Sequence, residues 1–493
     1  MFAPLALAFI ACFSALSFTP ACDQGRQQHT LAPEATSILF EPMPANLQGD
    51  AALVSARRLD RDGRLANGQL APLPASEHIR RAAVYLANRA FGEAREHWQA
   101  LVSRYPNDAN VPAALFGMGR SLYVERRYAE ALPYFERLGQ NFLDQKDGRE
   151  GYYYVAATVL RMDQPARAAV RYGEYAERFP QGERVENAYL NAIDSWREAG
   201  RNEEAVRWVD QTRVRFKGTA TETNALFARL RLDVSVGDWS AAVRSADELR
   251  ARPFGAGAQT TLPEVLYLRA YSLERAGQTQ AAIEAYKAVG DRLSSYFGAR
   301  ATERLESLGP DGRRASLARQ AGARREASAA AGNYPVPFRE SILRAVKDKN
   351  VDARLVLAIM RQESSFRPDA RSQAAARGLL QLTVDAATKY APAAGIKTFD
   401  ENDLYRPEIN IPLGVAYLAD LFRQFPGLPE AVAASYNGGE DNVARWVARA
   451  GQKDNGVFTS EIGFTESKDY AMKVLANYRA YKLLYTPDLR RQR

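Results

Sequence analysis

At 493 residues the chain is too long for one ordinary core, so about two to four structural units are expected. Hydrophobic residues make up 46% and charged residues 25%, the balance of a packed globular protein and not of a disordered one. The 66 Lys and Arg exceed the 58 Asp and Glu by a net +8, scattered through helical patterns and not gathered in one block. Such a surface suits solvated helix faces as well as a polyanion, so charge alone decides nothing, and no nucleic-acid partner is expected. Cys12 and Cys22 are the two cysteines, which leaves the rest of the chain without a thiol for a disulfide or a metal. The three histidines, His29, His78 and His97, lack ligand spacing, so neither a metal site nor a cofactor is expected.

The run PLALAFIACFSALSF, from Pro4 to Phe18, is uncharged and fits the apolar region of a signal peptide. As a helix it would reach about 22 Å, short of a hydrocarbon core of about 30 Å. Thr19, Pro20 and Ala21 then precede Cys22, so residues 1–22 are expected to be an export signal. Two readings of Cys22 stand side by side: lipid attachment, which would tether the chain to a membrane, and plain cleavage after Ala21. Thr19 and Pro20 depart from a lipoprotein signal, and no Lys or Arg precedes the apolar run. Residues 23–75, rich in Pro, Ala, Gln and Asp with little periodicity, read as a linker or loosely packed lead-in.

Residues 76–309 repeat. Ala94, Ala131, Ala168, Ala205, Ala242 and Ala282 follow short polar turns at spacings of 37, 37, 37, 37 and 40. Tyr105, Phe142, Phe179 and Phe216 step by the same 37. Each unit holds two apolar-periodic segments of about a dozen residues, such as Pro112–Val124 and Tyr128–Leu138, with Pro106 and Pro180 ending two of the second segments. These are helix hairpins that cannot bury their apolar faces alone, so they should stack as a solenoid. The alanines permit close helix approach and the aromatics fill the space between hairpins. The pattern resembles tetratricopeptide-like repeats at a slightly longer period. A solenoid of this kind offers a surface to a protein partner, though no residue identifies one. Residues 310–333, small and basic, read as a connection that is helical over Arg314–Ala331.

Composition changes at Tyr334, and residues 334–493 form the last expected domain. A helix predicted over Asp352–Gln362 runs into Glu363-Ser364-Ser365-Phe366, and Val356, Met360 and Glu363 share one face. A carboxyl at the end of an apolar stripe is partly desolvated, so its pKa rises and a proton is available near neutrality. A glycosidic oxygen needs such a donor before it leaves. The helix by itself favours a glutamate that merely ends in water.

Beyond Glu363 come ESSFRPDARSQAAARGLLQ (363–381), Ala433-Ala434-Ser435-Tyr436-Asn437-Gly438-Gly439, and Phe464-Thr465-Glu466-Ser467-Lys468-Asp469-Tyr470. In this order the segments resemble the catalytic domain of the soluble lytic transglycosylases, relatives of goose-type lysozyme that also carry an upstream helical superhelix. The resemblance covers roughly Tyr334–Tyr485. It implies a mainly α protein, a helical-hairpin solenoid followed by a lysozyme-like α-rich catalytic domain, acting on peptidoglycan glycan strands in the periplasm.

The same resemblance matches Glu363 to the catalytic acid/base. Ser372, Gln381, Tyr436, Asn437, Glu466 and Tyr470 match residues of the sugar cleft. Bland readings stay open for these six: Ser372 caps a turn, Gln381 braces the loop, Tyr436 is core, Asn437 belongs to a turn, and Glu466 with Tyr470 pairs along one helix face. The implied reaction needs one carboxylate and yields 1,6-anhydro ends. A muramidase hydrolysing the same bond, or an envelope scaffold that only grips glycan, are the alternatives. Ala375, Leu380, Val384, Ser435 and Gly438 depart from the family pattern. Ala375 replaces a glycine, so a requirement for positive φ there would shift the loop.

Overall fold

The structure is a computed structural model that describes residues 49–451 and 454–492. The expected export signal, Cys22 and His29 lie outside the described residues. The chain is mainly α, and among the described residues the only β pairings are isolated bridges. No described helix is long and apolar enough to cross a membrane. Two compact units emerge, one comprising residues 49–188 with 372–375, the other 189–371 with 376–492.

In the first unit the helices Ala75–Ala87, Phe91–Arg104, Val111–Val124, Tyr128–Asn141, Lys146–Arg161 and Pro165–Arg178 pack each on the next. The repeat markers have a common cause. Ala94, Ala131, Ala168, Ala205, Ala242 and Ala282 each take the fourth position of a helix and are 0% exposed. A larger side chain at such a contact would force the helices apart. Tyr105, Phe142, Phe179 and Phe216 are the residues that end their helices, each N–H returning to a carbonyl four residues back, on Leu101, Leu138, Tyr175 and Thr212. Pro106 and Pro180 follow two of these ends, where a helix cannot continue.

The stretch 23–75, expected as a loosely packed lead-in, contains the helix Asp50–Gly63, which buries Ala52, Leu53, Ala56 and Leu59. Their i, i+1, i+4, i+7 spacing is helical, but two of the four are alanines set among arginines and aspartates, which mutes the pattern. Asp60 on this helix accepts from Arg81 Nη1 at 2.5 Å and from the Tyr85 hydroxyl, and lies 2.9 Å from His97 Nε2. His97 Nδ1 in turn meets His78 Nδ1 at 3.0 Å. Burial pushes His78 down to about 3, so its ring is neutral near pH 7. Ser372, which belongs to this unit, is buried in a turn closed by Ala375 N–H on the Ser372 carbonyl, at 3.1 Å.

The second unit has a large apolar core drawn from residues between Leu226 and Leu489, and a smaller cluster of Ile193, Val209, Ala225 and Ala228. Helices of the repeat pattern, including Ala220–Val236, Trp239–Arg250, Leu262–Arg275 and Tyr296–Glu306, share that interior with helices near the C-terminus. Residues 310–333, expected as a connection, fall largely in the helix Gly309–Ala329. Its docking face is built from small buried residues, Gly312, Ser316, Ala323 and Ala327, and Arg319 donates to the Val289 and Gly298 carbonyls. A contact face without large apolar groups is hard to tell from a linker by composition.

Candidate active site

The helix that carries Glu363 spans Ala353–Ser364, one residue later at its start and two later at its end than the sequence predicts. Asp352 caps it, its side chain accepting from Arg354 N–H at 2.8 Å. Leu355 to Met360 are buried without a break, at 1% exposure or less, so the helix is embedded nearly all round. Glu363 stands in its last turn and is half-buried. The helix stops because Ser365 and Phe366 both adopt positive φ, 50° and 66°, turning the chain sharply away. Ser364 Oγ then donates to the Leu379 carbonyl at 2.8 Å and ties the helix end to the loop ahead.

That loop is held by an internal ladder and by one distant amide. Arg377 and Leu382 exchange backbone hydrogen bonds of 2.9 and 3.0 Å, and Gly378 N–H donates to the Ala370 carbonyl at 2.8 Å. Gln381, at φ 45°, turns its side-chain amide inward to the Ala370 and Gly378 carbonyls, at 2.9 and 2.8 Å. Its side-chain donors therefore brace the loop. Asn410, fully buried on the helix Pro407–Gln424, accepts from Leu380 N–H at 2.8 Å and donates to the Arg377 and Leu404 carbonyls at 3.0 and 2.8 Å. Gly414, one turn on, leaves room for Leu380. Ala375 has φ 58°, the left-handed conformation a glycine would take with less strain.

One phenol meets the carboxyl and a second lies within reach of its charge. Tyr470, on the helix Thr465–Leu484, donates to Glu363 Oε1 at 2.6 Å. Tyr436, in the last turn of the helix Pro429–Gly438, donates to the Leu380 carbonyl at 2.8 Å, and the Glu363 charge helps raise its pKa. Behind it Tyr417 stacks at 5.0 Å between centroids, and Tyr390 stacks on Tyr417 at 4.8 Å. Burial pushes Glu363 up to about 7, opposed only by the Tyr470 hydrogen bond, and no charged side chain contributes among the described residues. The same burial holds both tyrosines well above their usual value, so each presents a proton-bearing hydroxyl.

The structure brings Glu363, Tyr436 and Tyr470 together. Asn437 is buried and faces the neighbouring helix, its Oδ1 accepting from Ser467 Oγ at 2.6 Å. A Cβ on Gly438 would meet that same Ser467 Oγ at 2.6 Å, which gives one physical reason for glycine at this departure from the family pattern. Glu466 lies half-buried in the first turn of its helix, with Oε1 enclosed and without a hydrogen-bond partner among the described residues. It forms no hydrogen bond with Tyr470, whose hydroxyl is engaged with Glu363. Sequence reasoning missed Asn410, Gly414 and Tyr417, whose i, i+4, i+7 spacing on one helix face was the available signal.

Residues 340–458 match the protein family described as Transglycosylase SLT domain, and residues 264–292 match Tetratricopeptide repeat. The similarity to that family thus lies in the C-terminal part of the chain. The matched range includes Glu363 and Tyr436 and stops short of Tyr470. The soluble lytic murein transglycosylase of Salmonella typhimurium is 32% identical over 150 residues, 30% of this chain and 23% of that protein. Its namesake from Escherichia coli strain K12 is 31% identical over 157 residues, 31% of this chain and 24% of that protein. The matched stretch thus spans about a quarter of these relatives' length. The crystal structure of the 70 kDa soluble lytic transglycosylase from Escherichia coli overlaps 90% of this chain and 76% of that one, with a TM-score of 0.48 and 19% identity. Within the matched range, Ser364, next to Glu363, is tied to the loop 377–382, and that loop in turn to Tyr436.

One consequence is testable at Tyr470. Its hydrogen bond stabilises the charged carboxylate, so Tyr470→Phe should raise the Glu363 pKa above about 7. A general acid works in its protonated form, so the alkaline limb of kcat/KM should move to higher pH in the variant. A pH–rate profile on purified glycan strands checks it, and an unmoved limb would rule it out.

Proposed function

We propose that the chain is a lytic transglycosylase that cleaves the β-1,4 bond between N-acetylmuramic acid and N-acetylglucosamine in peptidoglycan. The observation that carries this reading is Glu363: a half-buried carboxyl held near neutrality by burial, with a hydroxyl and no charged side chain as its hydrogen-bond partner. Protonated Glu363 gives its proton to the departing glycosidic oxygen, and the C1–O bond breaks. The substrate's own N-acetyl oxygen steadies the positive charge at C1. Glu363, now a carboxylate, takes the proton from the C6 hydroxyl, and O6 bonds to C1. The product is a 1,6-anhydro ring, with no water consumed and no second carboxylate required. The match to the SLT domain and the relatives' names support the same assignment.

Ser372, Gln381, Tyr436, Asn437, Glu466 and Tyr470 are proposed to line or brace the sugar cleft. Tyr436 and Tyr470 have geometric support, as does Glu466 through its unpartnered oxygen. The domain plan 1–22, 23–75, 76–309, 310–333 and 334–493 accompanies this reading, with export to the periplasm, tethering through a lipidated Cys22, and a protein partner on the repeat array. Mass spectrometry of digested cell wall is the test. Anhydro ends support the transglycosylase, products heavier by one water indicate a muramidase, and an undigested wall indicates a glycan-binding scaffold.

A further inference from the structure

The helix Thr465–Leu484 is fixed on two sides of its first turns. On one side Tyr470 reaches Glu363. On another, Lys468, 3% exposed, donates to Glu264 Oε1 at 2.9 Å and to the Gln259 carbonyl at 3.0 Å. Glu264 is fully buried at the start of the helix Leu262–Arg275, and its other oxygen accepts from Thr260 Oγ1 at 2.9 Å. Residues two apart on a helix point about 200° away from each other. Rotation of this helix about its axis would therefore strain both contacts together.

The lysine belongs to a larger buried set of charges. Its Nζ lies 4.7 Å from the Phe227 ring centroid, and the Arg231 guanidinium lies 4.9 Å from the same ring. Arg231 reaches Glu461 Oε2 at 3.4 Å and Asp194 Oδ1 at 3.3 Å. Arg197 and Arg449 also pair with Glu461, at 2.6 and 2.9 Å. Glu461 ends the short helix Asn455–Glu461, a few residues before Thr465. The segment leading into the Tyr470 helix is thus held by Arg197 and Arg231, and its first turn by Glu264, all from helices in the repeat pattern.

We propose that Glu264, acting through Lys468, is a positioning residue that sets the Tyr470 hydroxyl against Glu363. The proposal rests on the transglycosylase reading for its consequence in catalysis, but the coupling itself does not. Buried ion pairs add little net stability compared with apolar residues of similar volume, because desolvation offsets their attraction. What this pair supplies is direction. An apolar contact would let the helix slide, whereas a lysine held by a carboxylate and a carbonyl fixes its rotation. The groups facing Lys468 are Glu264, Arg231 and Glu461; those facing Glu363 are Tyr470 and Tyr436.

The test uses the full chain as Glu264→Gln, as the double variant Glu264→Leu with Lys468→Met, and as Tyr470→Phe for comparison. Carbon-13 NMR of labelled glutamate carboxyls, with the Glu363 signal identified by its loss in Glu363→Gln, follows the titration without needing turnover. Both pair variants are expected to move the Glu363 midpoint upward, as Tyr470→Phe does, and to lower kcat about tenfold with KM little changed. A midpoint left at the wild-type value in the double variant, with its thermal midpoint preserved, overturns the proposal. The double variant decides should Glu264→Gln fail to fold, since it leaves no buried charge of the pair alone. If wild type yields no anhydro ends, the transglycosylase reading fails while the titration still judges the coupling.

Discussion

Replacing Glu363 with Gln is expected to leave the chain folded and to lower glycan cleavage by about 10²–10⁴-fold, the range for removing a general acid–base group. The upper part of that range is anticipated because one carboxyl serves both proton transfers in the proposed reaction. Glutamine fits the same space and can accept from the Tyr470 hydroxyl, so the surrounding contacts persist. Stability provides an independent reading. The folded pKa of Glu363, about 7, lies above the ordinary glutamate value of 4.5, so its contribution to stability is intact below about 4.5 and is lost as pH rises through 7. The loss approaches about 3 kcal/mol at alkaline pH, lessened by the carboxyl's partial contact with solvent. Glu363→Gln should therefore match wild type in thermal melts near pH 4.5 and exceed it near pH 8. Retained turnover, or melts that do not diverge with pH, would contradict the assignment.

Gly378→Ala is expected to be the most damaging small change in the loop beside Glu363. Gly378 has φ 76°, and a Cβ there would run into the Leu404 carbonyl oxygen and the Asn410 side-chain amide. Neither obstacle is the loose end of a flexible chain, because Asn410 is committed to three hydrogen bonds that hold the loop. Left-handed strain and overpacking together suggest a cost of about 2–5 kcal/mol. Displacing Asn410 frees Leu380, whose carbonyl receives the Tyr436 hydroxyl, so cleavage should fall as well. Urea melts and a glycan-cleavage assay measure the two effects. By contrast, Ala375→Gly should be neutral or mildly stabilising, since glycine adopts φ 58° without the Cβ penalty.

The parts of this protein legible in its sequence are those governed by one local cause. The alanines at 37-residue spacing mark close helix contacts, and each is buried at the same point of its helix. Glu363 follows an apolar stripe, and burial does raise its pKa. What escaped depends on partners far apart in the chain. Nothing in the sequence around Asn410 says that it will hold Leu380, and nothing around Lys468 points to Glu264, 204 residues away. Gln381 was placed by resemblance in a sugar cleft, while its amide donors are taken by its own loop. His78 and His97, without ligand spacing, meet because their two helices pack on each other, with Asp60 reaching His97 from a third. The helices Asp50–Gly63 and Gly309–Ala329 were masked by small residues that pack well but leave a weak hydropathy pattern.

Glu363 owes its raised pKa to desolvation, opposed only by a neutral hydroxyl, with no ionic neighbour among the described residues. Mobile ions screen charges that interact through solvent, and they have little hold on a penalty set by missing water. The pH at which this carboxyl changes state should thus stay in place across a wide range of ionic strength. Salt can still weaken the attraction between an anionic wall polymer and a chain of net charge +8. In the proposed reaction, electrolyte would then govern how much glycan is captured, and proton activity how fast captured glycan is cut: two separate dials.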